Sequence, residues 1–329
     1  MLQKTALLAS VLLGSAFFFS CETVVEVPIP KHEPKLAVRY MLPDQPADEL
    51  LYQLFPQYQP YVNHSQDIYS GSDLNGVLNA ELTIKDAQGN VVETFKRSDG
   101  SGIGASDDGY YEPVSGFQAQ PGQTYTFTVS SPDYPSVNSK VTMPLGVSGL
   151  QADFQQSDYY VEPAGNYATV KGRINVSLPD NGSENNYYLL YGVLLDQNGK
   201  AQGRDSFQED RDENSGVQVG AEFQDIHFSP IHYGSVNPFD DKTFNGRTIS
   251  FGRNANLFYG RADMPPTHLR IYVHSITEGA YKFLKSLKLY NENGNNPFAE
   301  QTRVIGNINN GYGFFGGFTS NYVDIPLPQ

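Results

Sequence analysis

The chain has 329 residues, with Lys+Arg 22 against Asp+Glu 36 and a formal net charge of −14. That length points to two domains, each able to bury a core without disulfide or metal staples, and the charge excludes nucleic-acid binding, which needs lysine and arginine to neutralise phosphate. Gly 31 and Pro 21 beside Tyr 22, Phe 20 and no Trp suit short strands joined by turns and exclude a long-helix architecture.

The amino terminus reads as a secretory signal over residues 1–20: Lys4, then an apolar run from Ala6 to Phe19, then Ser20 and Cys21. The run is shorter than the ~20 residues that a bilayer-spanning helix needs, so a cleaved segment is expected rather than a permanent span. Cys21 is the only cysteine, and Phe18-Phe19-Ser20-Cys21 resembles a bacterial lipobox, departing from it at Phe18, where leucine is usual, and at the bulky Phe19. The alternative is a free thiol, a liability in an oxidising compartment that lipidation removes. More than one acyl chain anchors stably where one holds only marginally. Residues 21–34 then form a tether whose Pro28, Pro30 and Pro34 favour an extended chain, reaching up to about 40 Å at polyproline spacing. A short first strand is the competing reading of this stretch.

From Leu36 the pattern has period two, with Leu36, Val38, Tyr40 and Leu42 on one face and Ala37, Arg39 and Met41 on the other. A hairpin is predicted from Ala80 to Lys96 around Asp86–Asn90, with Gly89 supplying a positive φ. Thr124–Ser130 alternates strictly after the Gln120-Pro121-Gly122 turn, and Val137–Met143 is a further strand. About seven short strands over 35–145 predict an immunoglobulin-like sandwich. The second domain, 146–329, repeats the pattern: Ala168, Val170, Ile174, Val176 and Leu178 share a face, and Asn186–Leu195 runs into Asp196–Gly199, an Asn-Gly turn of the primed kind. Leu269, Ile271 and Val273 alternate against His268, Arg270, Tyr272 and His274. One helix is expected after them, capped by Ser275 with Glu278 three residues on and carrying Phe283, Leu284 and Leu287 at helical spacing. The fold class is therefore mainly β: two β-sandwich domains, immunoglobulin-like or transthyretin-like, with one helix in the second.

Several of these segments occur together in an order that resembles a known family. Cys21, the tether, His32–Val38, Gly109-Tyr110-Tyr111, Pro121–Tyr125, a late Asn-Pro-Phe and above all Ile305–Gly317, with its Asn-Asn-Gly and Phe-Gly-Gly, resemble the domain of unknown function 4249 family of Bacteroidota outer-membrane lipoproteins. The resemblance implies a lipid-anchored outer-membrane protein, often encoded near a TonB-dependent receptor, and supplies no catalytic residues. The Pro-Gly-x-x-Tyr stretch also looks like carboxypeptidase-regulatory and transthyretin-like sandwiches, which implies an accessory first domain.

Signals for chemistry are sparse. Gly-x-Ser-x-Gly does not occur, and no histidine pair has the i, i+4 helical spacing of a zinc protease. His227 and His232 flank a short loop and are read as surface or hydrogen-bonded side chains rather than ligands. Asp210, Asp212 and Asn214 alternate like the oxygen ligands of a calcium loop, but Gly216 comes one place late and Glu222 sits at the thirteenth position, so an acidic solvated loop is the preferred reading. Asp107-Asp108-Gly109 reads as a turn. Tyr52, Phe55, Tyr58, Tyr61 and Tyr69 form an aromatic stretch that suits packing under a loop or, alternatively, sugar stacking or a protein interface.

The expected protein is a lipid-anchored outer-membrane binding or accessory component beside a TonB-dependent transporter, with lipidation at Cys21, no catalytic, cofactor or metal residues, and no nucleic-acid partner. Its partners are the membrane through the anchor and an outer-membrane protein, its orientation is either cell-surface exposed or periplasmic, and its ligand is unspecified. A structural or assembly subunit of an envelope complex is the alternative, ahead of a glycan- or peptide-processing enzyme.

Overall fold

A computed structural model describes residues 31–46, 58–67, 70, 75–98, 109–201, 206–209, 226–229, 236–261, 265–293 and 302–327. The first seven strands are β1 (Leu36–Pro43), β2 (Tyr61–His64), β3 (Glu81–Lys85), β4 (Val91–Arg97), β5 (Tyr111–Pro113), β6 (Thr124–Ser131) and β7 (Tyr134–Thr142). They are followed by β8 (Gln151–Val161), β9 (Tyr167–Leu178), β10 (Tyr187–Leu195), β11 (Ser206–Glu209), β12 (Phe239–Asp240), β13 (Ile249–Gly260) and β14 (His268–Ile276). The helix α1 (Glu278–Asn293) and the last strand β15 (Tyr312–Pro326) complete the chain. The fold is mainly β, and the described residues form three sheets: a six-stranded sheet of order β12-β10-β14-β15-β1-β2, a four-stranded sheet β11-β13-β9-β8 and a five-stranded sheet β5-β4-β3-β6-β7.

The six-stranded sheet is common to both sandwiches. On one face, Leu36, Val38, Tyr40 and Leu42 of β1 and Phe315 of β15 pack with Leu82, Ile84, Phe127 and Val129 of the five-stranded sheet. Farther along the same face, Leu190 of β10, Leu269, Ile271 and Val273 of β14 and Ile325 of β15 pack with Val170, Ile174 and Val176 of β9 and Leu257 of β13. The opposite face carries Met41, Leu189, Tyr191, Phe314 and Phe318, covered by Tyr281, Phe283 and Leu284 of α1 and by Tyr58. β10 is buried on both sides, which requires apolar residues at successive positions; it reads Tyr-Tyr-Leu-Leu-Tyr-Gly-Val-Leu-Leu accordingly.

The boundary expected at 145/146 falls between β7 and β8, yet the first and last strands join: β1 pairs with β15 in parallel, from Ala37 opposite Tyr312 to Pro43 opposite Phe318. Residues from Pro34 onward form one compact unit, distinct from the segment up to Glu33.

Local expectations meet mixed outcomes. The Asp86 carboxylate accepts from the amides of Gln88 (2.9 Å) and Asn90 (2.8 Å), and Gly89 takes φ 88°, as the hairpin requires. Asp196 builds the same device, accepting from Asn198 and Lys200, with Gly199 at φ 75°. Because Asn198 keeps a negative φ, this is not the primed Asn-Gly turn expected from the sequence. The turn does fold the chain back, through an antiparallel bridge between Leu195 and Ala201 and the Asp196 amide donating to the Lys200 carbonyl at 2.9 Å, while β10 pairs along its length with β14 and β12 and β11 pairs with β13. The helix forms where expected, but Ser275 lies inside β14 and does not cap it. Thr277 is the residue before the first turn, its carbonyl accepting from Tyr281 at 3.0 Å, because strand pairing with β15 extends through Ile276.

Candidate functional site

The two sandwiches leave a cleft between them on the shared sheet, with a volume of about 290 Å³. Thr142 and Pro144 bring the end of β7 to one wall, Glu184 and Tyr187 bring the approach to β10, and Ser275 and Glu278 bring the junction of β14 and α1. Its chemistry is carboxylate, hydroxyl and aromatic; its lining contains no histidine or cysteine. Glu278 pairs with Lys282 one helical turn on, at 2.8 Å, and the hydrogen bond from that ammonium holds its carboxyl below the ordinary range. Burial pushes the Tyr187 hydroxyl up, and the Glu278 charge adds to it. The Tyr187 ring lies 4.7 Å from that of Tyr281, whose hydroxyl donates to Asp240 at 2.9 Å, so the aromatic wall is braced from behind.

A carboxylate group stands beyond the Glu184 wall. Asp180 accepts from the Tyr188 hydroxyl at 2.5 Å and from the Gly246 amide at 2.7 Å, and Asp241 accepts from the Asn186 amide at 2.8 Å. Burial raises Asp241, and the Asp180 charge adds to it. These bonds tie the 180–187 loop to the 240–246 turn and fix the position of Glu184 at the cleft. The arrangement suits binding of a polar or cationic group against two carboxylates and a tyrosine.

The candidates from the sequence are distributed elsewhere. His227 Nδ1 donates to Glu209 at 2.9 Å, whose carboxylate also meets Arg253 Nε at 3.1 Å and accepts from the Phe228 amide at 2.8 Å. Arg253 is buried and donates to the Ile226 carbonyl at 2.9 Å, so this cluster stitches the lateral opening of the second sandwich. His232, Cys21, Asp107, Asp108, Asp210, Asp212, Asn214, Tyr52, Phe55 and Tyr69 lie outside the described residues. Among the described residues, no group of three or more His, Cys, Asp or Glu is placed to hold a metal ion. Tyr58 is buried, its hydroxyl 2.8 Å from His274 Nδ1, and Tyr61 lies in β2, so the aromatic stretch serves packing at Tyr58. Glu184 and Ser275 were not singled out for a site by the sequence: the cleft joins residues from distant parts of the chain, and Asp180-Asn181-Gly182-Ser183-Glu184 signals only a loop.

The described residues thus form a mainly β chain of two sandwiches on one shared sheet, with Glu184 and Glu278 on the cleft between them. The family model for a domain of unknown function, DUF4249, matches residues 22–322, and the chain belongs to that family. No curated protein matches it. Among solved structures, a Salmonella alpha-2-macroglobulin mutant aligns over 93% of this chain at 11% identity and a TM-score of 0.22; the chain spans 15% of that structure's chain.

Proposed function

We propose that the protein is a lipid-anchored outer-membrane binding or accessory subunit, working beside a TonB-dependent transporter as in Bacteroidota envelopes. The observation that carries this reading is the lone Cys21, set directly after the apolar run Ala6–Phe19 and before a proline-rich tether. Acylation there supplies a membrane attachment that does not depend on surface charge, and an acidic protein is repelled by anionic lipid; among the described residues no helix is long and apolar enough to cross a membrane. The reading is non-catalytic, because the cleft offers carboxylates without a partnered nucleophile. Detergent partitioning and the mass of the amino-terminal peptide test the anchor: wild type is expected in the detergent phase with an acylated Cys21, and Cys21→Ser in the aqueous phase. An unmodified Cys21 in membrane-derived wild type overturns it.

A second reading, a structural subunit that binds only proteins, is favoured by the edge position of β8, a strand of 11 residues that among the described residues pairs on one side alone. Crosslinking in native membranes followed by purification separates the two. A stable complex that carries no small ligand supports the structural subunit, and recovery with a transporter supports the accessory role.

A further inference from the structure

The outer face of the four-stranded sheet combines flat aromatic surface with a charge-balanced polar row. Along β9 the even residues Ala168 to Leu178 point to the core, and along β13 the odd residues Ile249 to Tyr259 do, so the intervening residues form the outer face. Register sets Tyr160 of β8 opposite Thr169 of β9, and Thr169 opposite Phe258 of β13, as one row across three strands. Tyr160 is 56% exposed and Phe258 41%. Tyr167, one same-face position along from Thr169, stacks on Phe258 with centroids 5.2 Å apart and planes 13° from parallel. At about 4.8 Å between strands, Tyr160 and Phe258 stand roughly 10 Å apart, with the small Thr169 between them.

The adjoining rows on that face are polar. Asp158 lies opposite Lys171, and Lys171 opposite Asn256; next come Gln155, Arg173 and Asn254, then Asp153 and Asn175. Asn175 donates to Asp153 at 3.0 Å and accepts from Arg173 Nε at 3.2 Å, which holds the far row in place. Two acids oppose two bases here, so this face is neutral on a chain whose formal charge is −14.

We propose that this face binds a neutral glycan, with Tyr160, Tyr167 and Phe258 as the stacking surface and Asp158, Lys171 and Asn256 bonding to sugar hydroxyls. A pyranose presents an apolar face of C–H groups and a rim of hydroxyls that need both donors and acceptors. Aromatic rings beside an Asp-Lys-Asn row meet both needs. Nucleic acid also stacks on aromatics but requires a basic groove, and protein interfaces deplete Lys and Asp at their centre; the neutral sugar fits the combination. The inference names a ligand for the binding protein proposed above and rests on that reading for its setting, while its test is independent of the anchor.

Full-length protein in detergent, screened against neutral hexasaccharides of β-glucan, xylan, mannan and α-glucan, gives the test. With no tryptophan in the chain, tyrosine emission follows the titration. Binding to at least one neutral hexasaccharide is expected, weakened about tenfold by Tyr160→Ala and by Phe258→Ala and kept by Tyr160→Phe, with melting temperature unchanged in the Tyr160 variants. No binding to any of the four overturns the proposal, as does undiminished binding by Tyr160→Ala. Loss of a copurifying protein from Tyr160→Ala, without sugar binding in wild type, reassigns the face to a protein partner. None of these outcomes alters the detergent-partitioning test of Cys21.

Discussion

Single side chains complete this fold where backbone pairing runs out. The β14 partner of β15 begins only at Phe318, opposite Ile276, which leaves the Phe315 backbone with a strand on one side alone. Asn307 fills the gap: its Oδ1 accepts from the Phe315 amide at 2.8 Å and its Nδ2 donates to the Phe315 carbonyl at 2.8 Å. Its own carbonyl accepts from Ser139 Oγ at 2.8 Å, which ties the loop to β7. Asn307→Ala strips two buried backbone groups of their partners and is expected to cost about 1–3 kcal/mol, read from the urea midpoint. A midpoint unchanged from wild type contradicts the role. His274 gives a pH signature. Burial holds its imidazole down to about 3, against about 6.5 in an unfolded chain. The unfolded state therefore binds the proton first, so this group costs stability progressively as pH falls below about 6.5 and stops doing so near 3. His274→Phe, which keeps the ring stacked 4.9 Å from Phe318, is expected to show a shallower fall of melting temperature between neutral pH and pH 4 than wild type.

At the scale of elements, β15 carries the most consequence. Its alternation sends Phe314 to the helix side, 4.1 Å from the Phe283 ring, and Phe315 to the first sandwich, 5.1 Å from the Phe127 ring. Both are fully buried, as is Phe318, so these three aromatics belong to cores, while Tyr312 at the start of the strand is exposed. Phe314→Ala and Phe315→Ala are each expected to cost roughly 3–5 kcal/mol in chemical denaturation; loss of a membrane partner without loss of stability is the contrary result. The glycines of the run serve close approach. Gly313 sits at φ 94°, and a Cβ there would collide with the Val38 carbonyl, so the parallel pairing with β1 needs glycine at that position. A Cβ on Gly316 would stand 2.8 Å from Ala280 Cβ, so glycine also sets how closely the helix approaches the sheet. The periodicity of β6 and β9 is readable because one-sided burial imposes alternation, whereas β1 and β14 alternate only over Leu36–Arg39 and His268–Ile271 and are buried at successive positions beyond. The helix cap was misread because Ser275-x-x-Glu278 satisfies a local rule that strand pairing with β15 overrides.

On the scale of the whole molecule, the parallel pairing of β1 with β15 makes the two sandwiches one folding problem, since the first core contains Phe315 and the second contains Ile325. A chain ending before Tyr312 loses the strand between β14 and β1 and is expected to show no cooperative melt, while the full chain melts in a single transition followed by circular dichroism. A truncated chain that keeps part of the wild-type melt shows a sandwich able to fold alone and refutes the coupling. The sequence alone determined what depends on near neighbours: the apolar run before a lone Cys21, the faces of most strands, the Asp86 hairpin, and the acidic charge. Only the tertiary structure decided what depends on residues far apart in the chain. It put β1 and β2 into the sheet of β10, β14 and β15, set Glu184 and Ser275 on one cleft, and aligned Tyr160 with Phe258. The physical reason is that period-two alternation fixes which face of a strand is buried but carries no information about which strand lies beside it; pairing partners are selected when the cores close around them.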